Sequence, residues 1–310
     1  MTAVRQACFP YPAFPDYALL DSGGGEKLER FGAMTLRRPD PQALWRPRLA
    51  EEEWRRADLA FVRDPTTGGR AGDWQAGPVA SGAVGVDGEW PCRFGDATFL
   101  IRPTPFKHVG LFPEQAANWA FVAGLRDELD EARPKLLNLF GYTGAASILA
   151  VQAGYEVTHV DASKTAIQWA RDNVAASGLP RDAMRVICDD ALAFARREVR
   201  RGAKYHGIYI DPPHYGRGPK GEKWQFEEGI AAMIEAAGSL LAPRSFLILS
   251  AYAIGTSPLA LAGLLAAIED GRVEAGELAL SEVDPAGTGR LLPAGFCARF
   301  TRGLGTGFGG

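Results

Sequence analysis

The chain has 310 residues, of which 46% are hydrophobic and 23% charged, a composition typical of a soluble globular protein with one large or two smaller domains. Its 34 lysines and arginines are outnumbered by 37 aspartates and glutamates. The formal net charge of −3 excludes a bulk electrostatic attraction to nucleic acid, although a local basic groove remains compatible with it.

The cysteines and the apolar segments indicate the compartment. The four cysteines form no CxxC pair, and no histidine stands at zinc-ligand spacing, so we expect reduced thiols and no metal site. The N-terminus lacks the apolar core of a signal peptide. The apolar stretch Leu240–Ile268 is interrupted by Pro243, Arg244 and Pro258, which argues against a membrane span. The sequence predicts a cytoplasmic protein, and assembly into a homodimer is left open.

Residues 1–112 are predicted to form a small β-rich domain, a candidate for substrate binding. Short apolar runs bounded by turn formers predict hairpin strands at Tyr17–Leu20, Phe31–Leu36, Phe61–Val62 and Thr98–Arg102, with one short helix near Leu49–Ala57. The domain also carries a cluster of arginines, namely Arg37, Arg38, Arg46, Arg48, Arg55 and Arg56. Glu51, Glu52 and Glu53 dilute this cluster, which favours an ordinary solvated face.

Residues 113–302 alternate between strand and helix patterns. The predicted strands are Lys135–Phe140, Glu156–Val160, Arg185–Cys188, Gly207–Ile210, Ser245–Ser250, Val273–Leu280 and Phe296–Thr301, and the predicted helices are 113–133, Gly144–Ala153, Ser163–Ser177, Ala191–Arg200, Phe226–Leu241 and Ser257–Glu269. Such alternation predicts an α/β fold with a doubly wound, seven-stranded, Rossmann-like sheet. The Gly-rich residues 303–310 predict a flexible tail.

The turn after the first of these strands carries a possible ligand loop. It runs from Asn138 through Phe140, Gly141, Tyr142 and Thr143 to Gly144. Glycine lets the backbone approach a ligand closely, and the N-terminus of the following helix offers free N–H groups. The spacing is G-x-x-G and not G-x-G-x-x-G, which favours a carboxylate-bearing ligand over a pyrophosphate. A plain strand-to-helix turn is the alternative.

Carboxylates follow the next two strands. Asp161, with Ala162 and Ser163 after it, can accept hydrogen bonds from the two hydroxyls of a ribose. Ser163 is a candidate helix N-cap, which leaves Asp161 available for a ligand. Of Asp189 and Asp190, one is expected to cap the helix beginning at Ala191 and the other to accept from an adenine amine. We assign Asp190 to the adenine.

The turn after the fourth strand, Asp211-Pro212-Pro213-His214-Tyr215, is the most specific signal in the chain. Two prolines stiffen the backbone directly after a strand, so that Asp211 and nearby carbonyls become fixed acceptors. Fixed acceptors can hold a planar, NH-bearing substrate in line with a reacting group. His214 is a candidate base or substrate contact, and a histidine that stabilises the turn is the alternative.

A basic segment with aromatic residues follows this turn. Arg217, Lys220 and Lys223 alternate with Tyr215, Trp224 and Phe226, a pattern that suits phosphate contacts and base stacking. The alternative is a charged loop whose Trp224 and Phe226 are buried as anchors of the next helix.

These motifs resemble those of class I S-adenosylmethionine (SAM)-dependent methyltransferases. The segment Phe140–Gly144 and the stretch from His108 to Gln115 are most similar to the bacterial ribosomal RNA large-subunit methyltransferases of the I and K types, over roughly residues 99–300. The resemblance implies SAM as cofactor and RNA, above all ribosomal RNA, as substrate. It implies that the Phe140–Gly144 backbone lines the methionine part of SAM, with Gln115 and the His108 region nearby.

The resemblance further implies that Asp161 binds the ribose, Asp190 the adenine, and Asp211 with Pro212 the target base. The full set of cofactor-binding candidates is His108, Gln115, Asn138, Phe140, Gly141, Tyr142, Thr143, Gly144, Asp161, Ala162, Ser163, Asp190, Ala191 and Asp211. The catalytic candidates are Asp211, Pro212, Pro213, His214 and Tyr215, and the substrate-binding candidates are Arg217, Lys220 and Lys223.

The chain departs from the members of this family that methylate carbon 5 of cytosine. Those members use a cysteine after the fifth strand, where this chain has Leu249-Ser250-Ala251-Tyr252. Cys188 is expected to be buried, and neither it nor Cys297 stands at the required position. Without a thiolate nucleophile, covalent activation of carbon 5 is disfavoured. We therefore expect methylation of a nitrogen, either guanine N7 or an exocyclic amine.

Three hypotheses follow. The first is an RNA base N-methyltransferase, favoured by the Asp211 turn and the basic segment after it. The second is a methyltransferase of a protein or small molecule, favoured by the acidic pI of about 5.9. The third is a SAM- or RNA-binding module without activity, which the Asp211 turn argues against. The N-terminal segment shows no clear RNA-binding domain of the kind found in the I-type enzymes.

Overall fold

A computed structural model describes residues 4–67, 71–78, 85–252, 255–283 and 289–305. The chain forms two compact units. The larger consists of Met1–Phe9, Gln115–Leu278 and Gly295–Gly310, and the smaller of Pro10–Glu114 and Ala279–Ala294. The predicted division after residue 112 was too simple, because the first strand joins the larger unit and a late segment joins the smaller. Most of the predicted tail, from residue 306 onward, lies outside the described residues.

The elements alternate as follows along the chain. The first part contains β1 (Val4–Pro10), β2 (Tyr17–Gly23), β3 (Glu26–Phe31), β4 (Met34–Pro39), α1 (Glu51–Arg55), β5 (Leu59–Arg63), β6 (Gly72–Ala76), β7 (Trp90–Phe94) and β8 (Ala97–Ile101). The second contains α2 (Ala116–Gly124), β9 (Lys135–Leu139), α3 (Ala145–Gln152), β10 (Glu156–Asp161), α4 (Lys164–Ala176), β11 (Arg185–Cys188), α5 (Ala191–Arg200) and β12 (Tyr205–Ile210). The last contains β13 (Tyr215–Arg217), β14 (Lys223–Gln225), α6 (Phe226–Leu240), β15 (Leu241–Ala251), α7 (Pro258–Ala266), β16 (Arg272–Ser281) and β17 (Leu291–Arg302).

The larger unit is built on a mixed sheet with the order β1-β16-β17-β15-β12-β9-β10-β11. Strands β15, β12, β9, β10 and β11 are parallel, and β17 is antiparallel to β15. The prediction of seven strands was wrong, because across the described residues the sheet has eight. The additional strand is β1, whose sequence lacks the alternation that marks a strand. Gly276 permits this edge, since a Cβ there would lie 1.8 Å from the Ala7 carbonyl oxygen.

Helices cover the sheet through apolar faces. The buried core of the larger unit joins residues of β9, β12 and β15 to those of α5, α6 and α7, with Ile208, Met233, Leu247 and Leu261 fully inaccessible. Each such side chain stabilises the fold by about 1.5–3 kcal/mol through removal from water. The predicted helix 113–133 is divided in the structure, where α2 lies between two short 3₁₀ turns. Within the described residues, the helices are too short or too polar to cross a membrane.

The smaller unit contains a sheet in the order β2-β3-β4-β5-β6 and the hairpin β7-β8. The predicted single strand Phe31–Leu36 was wrong: this segment contains the end of β3, a two-residue turn and the start of β4. Gly32 forms the turn with φ of 57°, a conformation that glycine adopts without strain. The predicted short helix is present as α1, but it covers fewer residues than expected.

Five of the six arginines in the cluster of the smaller unit lie within 4 Å of a carboxylate oxygen. Arg37 contacts Glu26 at 2.6 Å, and Arg56 contacts Glu53 at 2.8 Å. Arg38 departs from the predicted solvated face, because it is buried and contacts the buried Glu29 at 2.6 Å. Such pairing reduces the positive charge that the cluster could present to a phosphate.

The parallel strands bring the predicted site residues to one edge. Strands β9, β10, β11, β12 and β15 end at Leu139, Asp161, Cys188, Ile210 and Ala251. Because the carboxyl ends of parallel strands meet at the same edge of a sheet, the loops that follow these residues form a single row. This edge holds the candidate active site of the larger unit.

Candidate active site

The loop between β9 and α3 makes a tight, strained turn. The Gly141 N–H donates to the Val160 carbonyl at 2.9 Å, and the Gly144 N–H donates to the Gly141 carbonyl at 3.0 Å. Phe140 and Tyr142 have φ of 58° and 49°, in the left-handed region that is unfavourable for side chains with a Cβ. Backbone strain of this kind is concentrated at functional sites.

Both glycines of this loop have a packing reason. A Cβ on Gly141 would lie 2.4 Å from two atoms of the His159 imidazole ring, too close for any real contact. Gly144 has φ of 86°, and a Cβ there would approach the Ala170 Cβ to 3.1 Å. The G-x-x-G spacing therefore lets the loop lie directly on β10 and α4.

A buried polar cluster supports the loop from below. Asn138 Nδ2 donates to Ser147 Oγ at 2.8 Å, and Ser147 Oγ lies 3.0 Å from Nδ1 of His159. Burial lowers the pKa of His159 to about 4, so its ring is neutral at physiological pH. The Thr143 carbonyl accepts from Asn173 Nδ2 at 2.9 Å. Asn138 was predicted to bind the cofactor, but its burial favours a supporting role beneath the loop.

Asp161 stands at the end of β10 and joins the two neighbouring loops. Its Oδ2 accepts from the Tyr142 N–H at 2.8 Å, and its Oδ1 accepts from the Ser163 N–H at 2.8 Å. Burial raises its pKa, an effect opposed by backbone N–H donors that include those of Ser163, Tyr142 and Ala162. Ser163 caps α4 by accepting from the Ala166 N–H at 3.2 Å, as the sequence predicts. Asp161 is therefore held in place while the cap is supplied by another residue.

The two aspartates after β11 differ from the prediction. Asp190 is the N-cap of α5, since its Oδ1 accepts from the Ala193 N–H at 2.8 Å. Asp189 pairs with Arg197 and accepts from the Asp190 N–H at 2.9 Å. The cap therefore falls on the aspartate that we had assigned to adenine, because its backbone has the extended conformation of a cap residue. Ala191 is the buried first residue of α5.

The turn after β12 is fixed by its own neighbours. Pro212 is buried and Pro213 is exposed. The carbonyl of Pro213 accepts from Trp224 Nε1 at 2.8 Å, and Trp224 packs against Phe140 with ring centroids 4.8 Å apart. Through Trp224, the Asp-Pro-Pro turn is connected to the loop after β9. The structure therefore brings Asp211 into the same row of loops as Asp161.

Gln115 organises the polar groups around Asp211. Its Nε2 donates to Asp211 Oδ2 at 3.3 Å and to the Tyr252 hydroxyl at 2.8 Å. Its Oε1 accepts from the Tyr209 hydroxyl and, at 2.8 Å, from Asn118 Nδ2. Donors on the Oε1 side fix the amide so that its nitrogen faces Asp211. Gln115, which was predicted to approach the cofactor, therefore donates to Asp211, the residue predicted to hold the target base.

Most residues of this cluster are not among the site residues predicted from the sequence. Asp211 directly follows β12 and lies two positions after Tyr209, a spacing that places alternate side chains of extended backbone on the same face and was an available signal. Asn118 carried no comparable signal. Its Oδ1 accepts from Arg299 Nε at 2.9 Å, which joins α2 to β17 across a long sequence separation.

His214 and Tyr215 differ in their surroundings. His214 Nε2 lies 2.9 Å from Oε1 of Glu227, and the His214 carbonyl accepts from the Phe226 N–H at 2.9 Å. These contacts favour the alternative role, stabilisation of the turn. Tyr215 begins β13 with half of its surface exposed.

The basic segment is an antiparallel hairpin formed by β13 and β14. Arg217, Lys220 and Lys223 are exposed on it. Trp224 and Phe226 are buried, which favours the second of the two predicted alternatives, in which they anchor the next helix, α6. The hairpin offers cations and the ring of Tyr215 to a ligand.

His108 lies in the smaller unit, whereas the other predicted cofactor residues lie in the larger. Its carbonyl accepts from the Thr104 hydroxyl at 2.8 Å, and its ring meets Phe112 edge-on with centroids 5.2 Å apart. Its approach to the cofactor stays a prediction.

No cysteine directly follows β12 or β15, where a nucleophile beside Asp211 would stand. Cys188 was expected to be buried but is exposed, because β11 is the edge strand of the sheet. Cys297 is fully buried on β17, and its thiol donates to Asn118 Oδ1 at 3.3 Å. Burial raises the pKa of the Cys297 thiol, which keeps it protonated.

Comparison with known proteins agrees with this geometry. The model of a family described as "Conserved hypothetical protein 95" matches residues 123–248. The ribosomal RNA large subunit methyltransferase K/L of Shewanella frigidimarina is 34% identical over 157 residues, which are 50% of this chain and 21% of that protein. The chain therefore spans about a fifth of the length of that relative.

Solved structures are similar over almost the whole chain. The SAM-dependent methyltransferase from Agrobacterium tumefaciens is 38% identical, with a TM-score of 0.89 over 97% of this chain and 95% of that one. A structure from Streptococcus mutans, 15% identical, has a TM-score of 0.66 over 92% of this chain and 75% of that one, which shows the fold alone. The α/β fold with its mixed sheet and strand-end loops is that of a class I methyltransferase. The chain belongs to the SAM-dependent methyltransferases.

Proposed function

We propose that this methyltransferase transfers a methyl group from SAM to a base nitrogen in ribosomal RNA. The observation that carries the proposal is the placement of Asp211, which stands at the carboxyl end of β12 directly beside the loop after β9. Its carboxylate is held by Gln115 at 3.3 Å. Relatives with the name ribosomal RNA large subunit methyltransferase K/L support RNA as the substrate class.

The residues at the edge of the sheet fit SAM. The N-terminus of α3 presents backbone N–H groups, which favour a carboxylate such as that of the methionine moiety. Asp161 offers an acceptor to ribose hydroxyls, and Asp190 remains a proposed adenine contact beside its role as a cap. When bound, SAM supplies an electrophilic methyl group on a sulfonium.

The residues of this chain would orient the substrate for direct displacement. In such a displacement the lone pair of the base nitrogen would form a bond to the methyl carbon while the carbon–sulfur bond breaks, leaving S-adenosylhomocysteine. An exocyclic amine would then lose a proton to solvent, whereas guanine N7 has no proton to lose and the methylated base would keep the positive charge. Asp211 and the Pro212 carbonyl are acceptors that can hold the N–H groups of the substrate and so align the attack. The hairpin cations Arg217, Lys220 and Lys223 are suited to phosphates around the target.

Cytosine carbon 5 is a poorer target. Chemistry at that carbon needs a thiolate that adds to the ring, whereas Cys297 is inaccessible and its pKa is raised by burial. Attack by a nitrogen lone pair needs no such nucleophile. A ribosomal substrate implies that the protein acts in the cytoplasm, and we include this location in the proposal. Assembly into a homodimer is a separate proposal.

Methyl transfer from radiolabelled SAM to unmodified ribosomal and transfer RNA tests the proposal. We expect label in ribosomal RNA that is lost in Asp211→Ala, while calorimetry shows that the variant still binds SAM. Nucleoside analysis then identifies the methylated atom. Absence of label in every RNA, with SAM bound normally, would contradict the proposal and direct the search to proteins and small molecules. A 5-methylcytidine product would contradict the nitrogen target alone.

A further inference from the structure

Tyr252 stands where the sheet edge continues beyond Asp211. It follows β15 by one residue, as Asp211 follows β12, and the two strands are parallel neighbours. Large aromatic side chains are normally covered, but Tyr252 is 40% exposed. Neither the resemblance nor the function proposed above gives this residue a role.

Tyr252 is held at its hydroxyl and along one edge of its ring. Its hydroxyl accepts from Gln115 Nε2 at 2.8 Å, and the same nitrogen donates to Asp211 Oδ2 at 3.3 Å. On β17, a Cβ at Gly295 would lie 2.9 Å from Cε1 of the ring, so the absence of a side chain lets the ring lie against the backbone. A partly exposed aromatic residue with two such restraints is pre-organised, and little entropy is lost when a ligand contacts it.

The order of the strands places Tyr252 relative to the proposed cofactor and substrate residues. Along the edge, Asp161 of β10 and the loop after β9 come first, then Asp211 after β12, then Tyr252 after β15. A substrate held by Asp211 therefore has the cofactor loops on one side and Tyr252 on the other. Trp224 on the hairpin and Phe226 beside it are buried, and Tyr215 is the exposed aromatic residue of the hairpin.

We propose that Tyr252 is a substrate-contacting residue whose ring stacks on the target base while Asp211 holds the edge of that base. The inference rests on the proposed function, since it takes a base in RNA as the substrate. An aromatic surface accepts the flat face of any base. Stacking on Tyr252 replaces the stacking that the base loses when it leaves its RNA neighbours.

The test compares Tyr252→Ala and Tyr252→Phe in methyl transfer to unmodified ribosomal RNA. Stacking on an aromatic side chain corresponds to a factor of about 5 to 150 per base, so we expect kcat/KM for RNA to fall by that factor in Tyr252→Ala. Tyr252→Phe retains the ring and should stay within about threefold of the unchanged enzyme, because it loses only a neutral hydrogen bond. The affinity for SAM, measured by calorimetry, should stay the same in both.

A matched control separates stacking from general loss of apolar surface. Leu259 on α7 is 67% exposed, and Leu259→Ala should leave both kcat/KM and SAM affinity unchanged. Thermal unfolding of each variant identifies any that fails to fold, and Tyr252→Trp, which keeps an aromatic face, should then retain activity where Tyr252→Ala does not.

The outcomes distinguish this inference from the function beneath it. Unaltered enzyme that labels no RNA would overturn both. Unaltered enzyme that labels RNA, with an equally active Tyr252→Ala, would overturn the stacking role alone. If kcat/KM of Tyr252→Phe falls as far as that of Tyr252→Ala, the effect belongs to the hydroxyl and its contact with Gln115. If SAM affinity falls to the same extent, the effect belongs to the structure of the sheet edge. Either result rejects stacking.

Discussion

The side of the sheet edge that we propose to bind the cofactor (the cofactor side) and the side that we propose to bind the substrate (the substrate side) are built in different ways. On the cofactor side, the loop after β9 owes its shape to backbone: glycines without Cβ atoms, left-handed φ angles and N–H groups that donate to Asp161. On the substrate side, the shape around Asp211 comes from side chains. Gln115, Tyr209, Asn118 and Tyr252 meet there from four different elements or loops.

This difference has a physical consequence for tolerance to change. A backbone-built loop fails when a side chain is added, since the added atoms have nowhere to go. A network of side chains fails when one hydrogen-bonding atom is removed, because its partners are left to reorient or stay unsatisfied. Substitutions that add atoms on one side and remove them on the other therefore test the comparison.

The largest effect is expected from Gly141→Ala. The new Cβ would lie 2.4 Å from the ring of His159, which is fully buried and cannot move aside. Overpacking costs about 1–3 kcal/mol, so we expect the dissociation constant for SAM to rise by about 5-fold to 150-fold as the loop shifts, together with a lower free energy of unfolding. Calorimetry with SAM and urea unfolding measure the two effects.

Gly263→Ala is the matched control. Gly263 lies within α7, and a Cβ there meets nothing within 4 Å. The same chemical change should stabilise the helix by about 0.5–1 kcal/mol and leave SAM binding unchanged. If Gly141→Ala binds SAM as tightly as Gly263→Ala, the loop after β9 is not the cofactor site.

The same distinction explains what the sequence could predict. The loop after β9, Asp161 and the Ser163 cap were assigned from short motifs, each of which directly follows a predicted strand. The parallel order of strands followed from the alternation of elements. The predicted bounds of β9 and β12 differ from the observed ones by one and two residues, because both strands are short apolar runs.

The missed features depend on distant residues. Nothing near Gln115 indicates that its amide meets Asp211 and Tyr252, 96 and 137 positions away. The eighth strand, β1, pairs with β16 near the other end of the chain. Asp190 caps α5 because its backbone is extended at that position. Asp189 instead pairs with Arg197, eight positions further along the chain. Local pattern carries no information on such contacts.

A smaller effect is expected from Asp161→Asn. The amide keeps one acceptor for a backbone N–H but loses the charge that strengthens bonds to ribose hydroxyls, so the dissociation constant for SAM should rise by about tenfold. Asp182→Asn, on an exposed loop before β11, makes the same charge change and should leave the affinity unchanged. Equal affinities in the two variants would remove Asp161 from the cofactor site.

The pH dependence of SAM binding by the unsubstituted enzyme is a second test of the role of Asp161. Burial raises its pKa, so its contribution to stability is present below the ordinary aspartate pKa and is lost as the pH rises through the raised value. The affinity for SAM should depend on pH in the opposite direction, because the ribose hydroxyls donate to the ionised carboxylate of Asp161. Affinity should therefore fall on acidification through this raised pKa, and Asp161→Asn should flatten that part of the profile.

The smallest effect is expected from Tyr209→Phe, which removes one buried hydroxyl on the substrate side. Gln115 Oε1 loses a donor, and the amide becomes freer to turn its nitrogen away from Asp211. A buried hydrogen bond contributes about 1 kcal/mol, so we expect kcat to fall by about fivefold while the affinity for SAM is unchanged. Steady-state kinetics and calorimetry on the same preparation separate the two quantities.

Tyr205→Phe, at the other end of β12, shows whether the loss is specific. The Tyr205 hydroxyl donates to Glu198 Oε2 at 2.8 Å, remote in the strand from Asp211. Its removal should lower the free energy of unfolding by about 1 kcal/mol without changing kcat. Equal losses of kcat in the two variants would trace the effect to the stability of β12. A loss confined to Tyr209→Phe would show that the substrate side depends on the orientation of one amide, as the cofactor side depends on the absence of one Cβ.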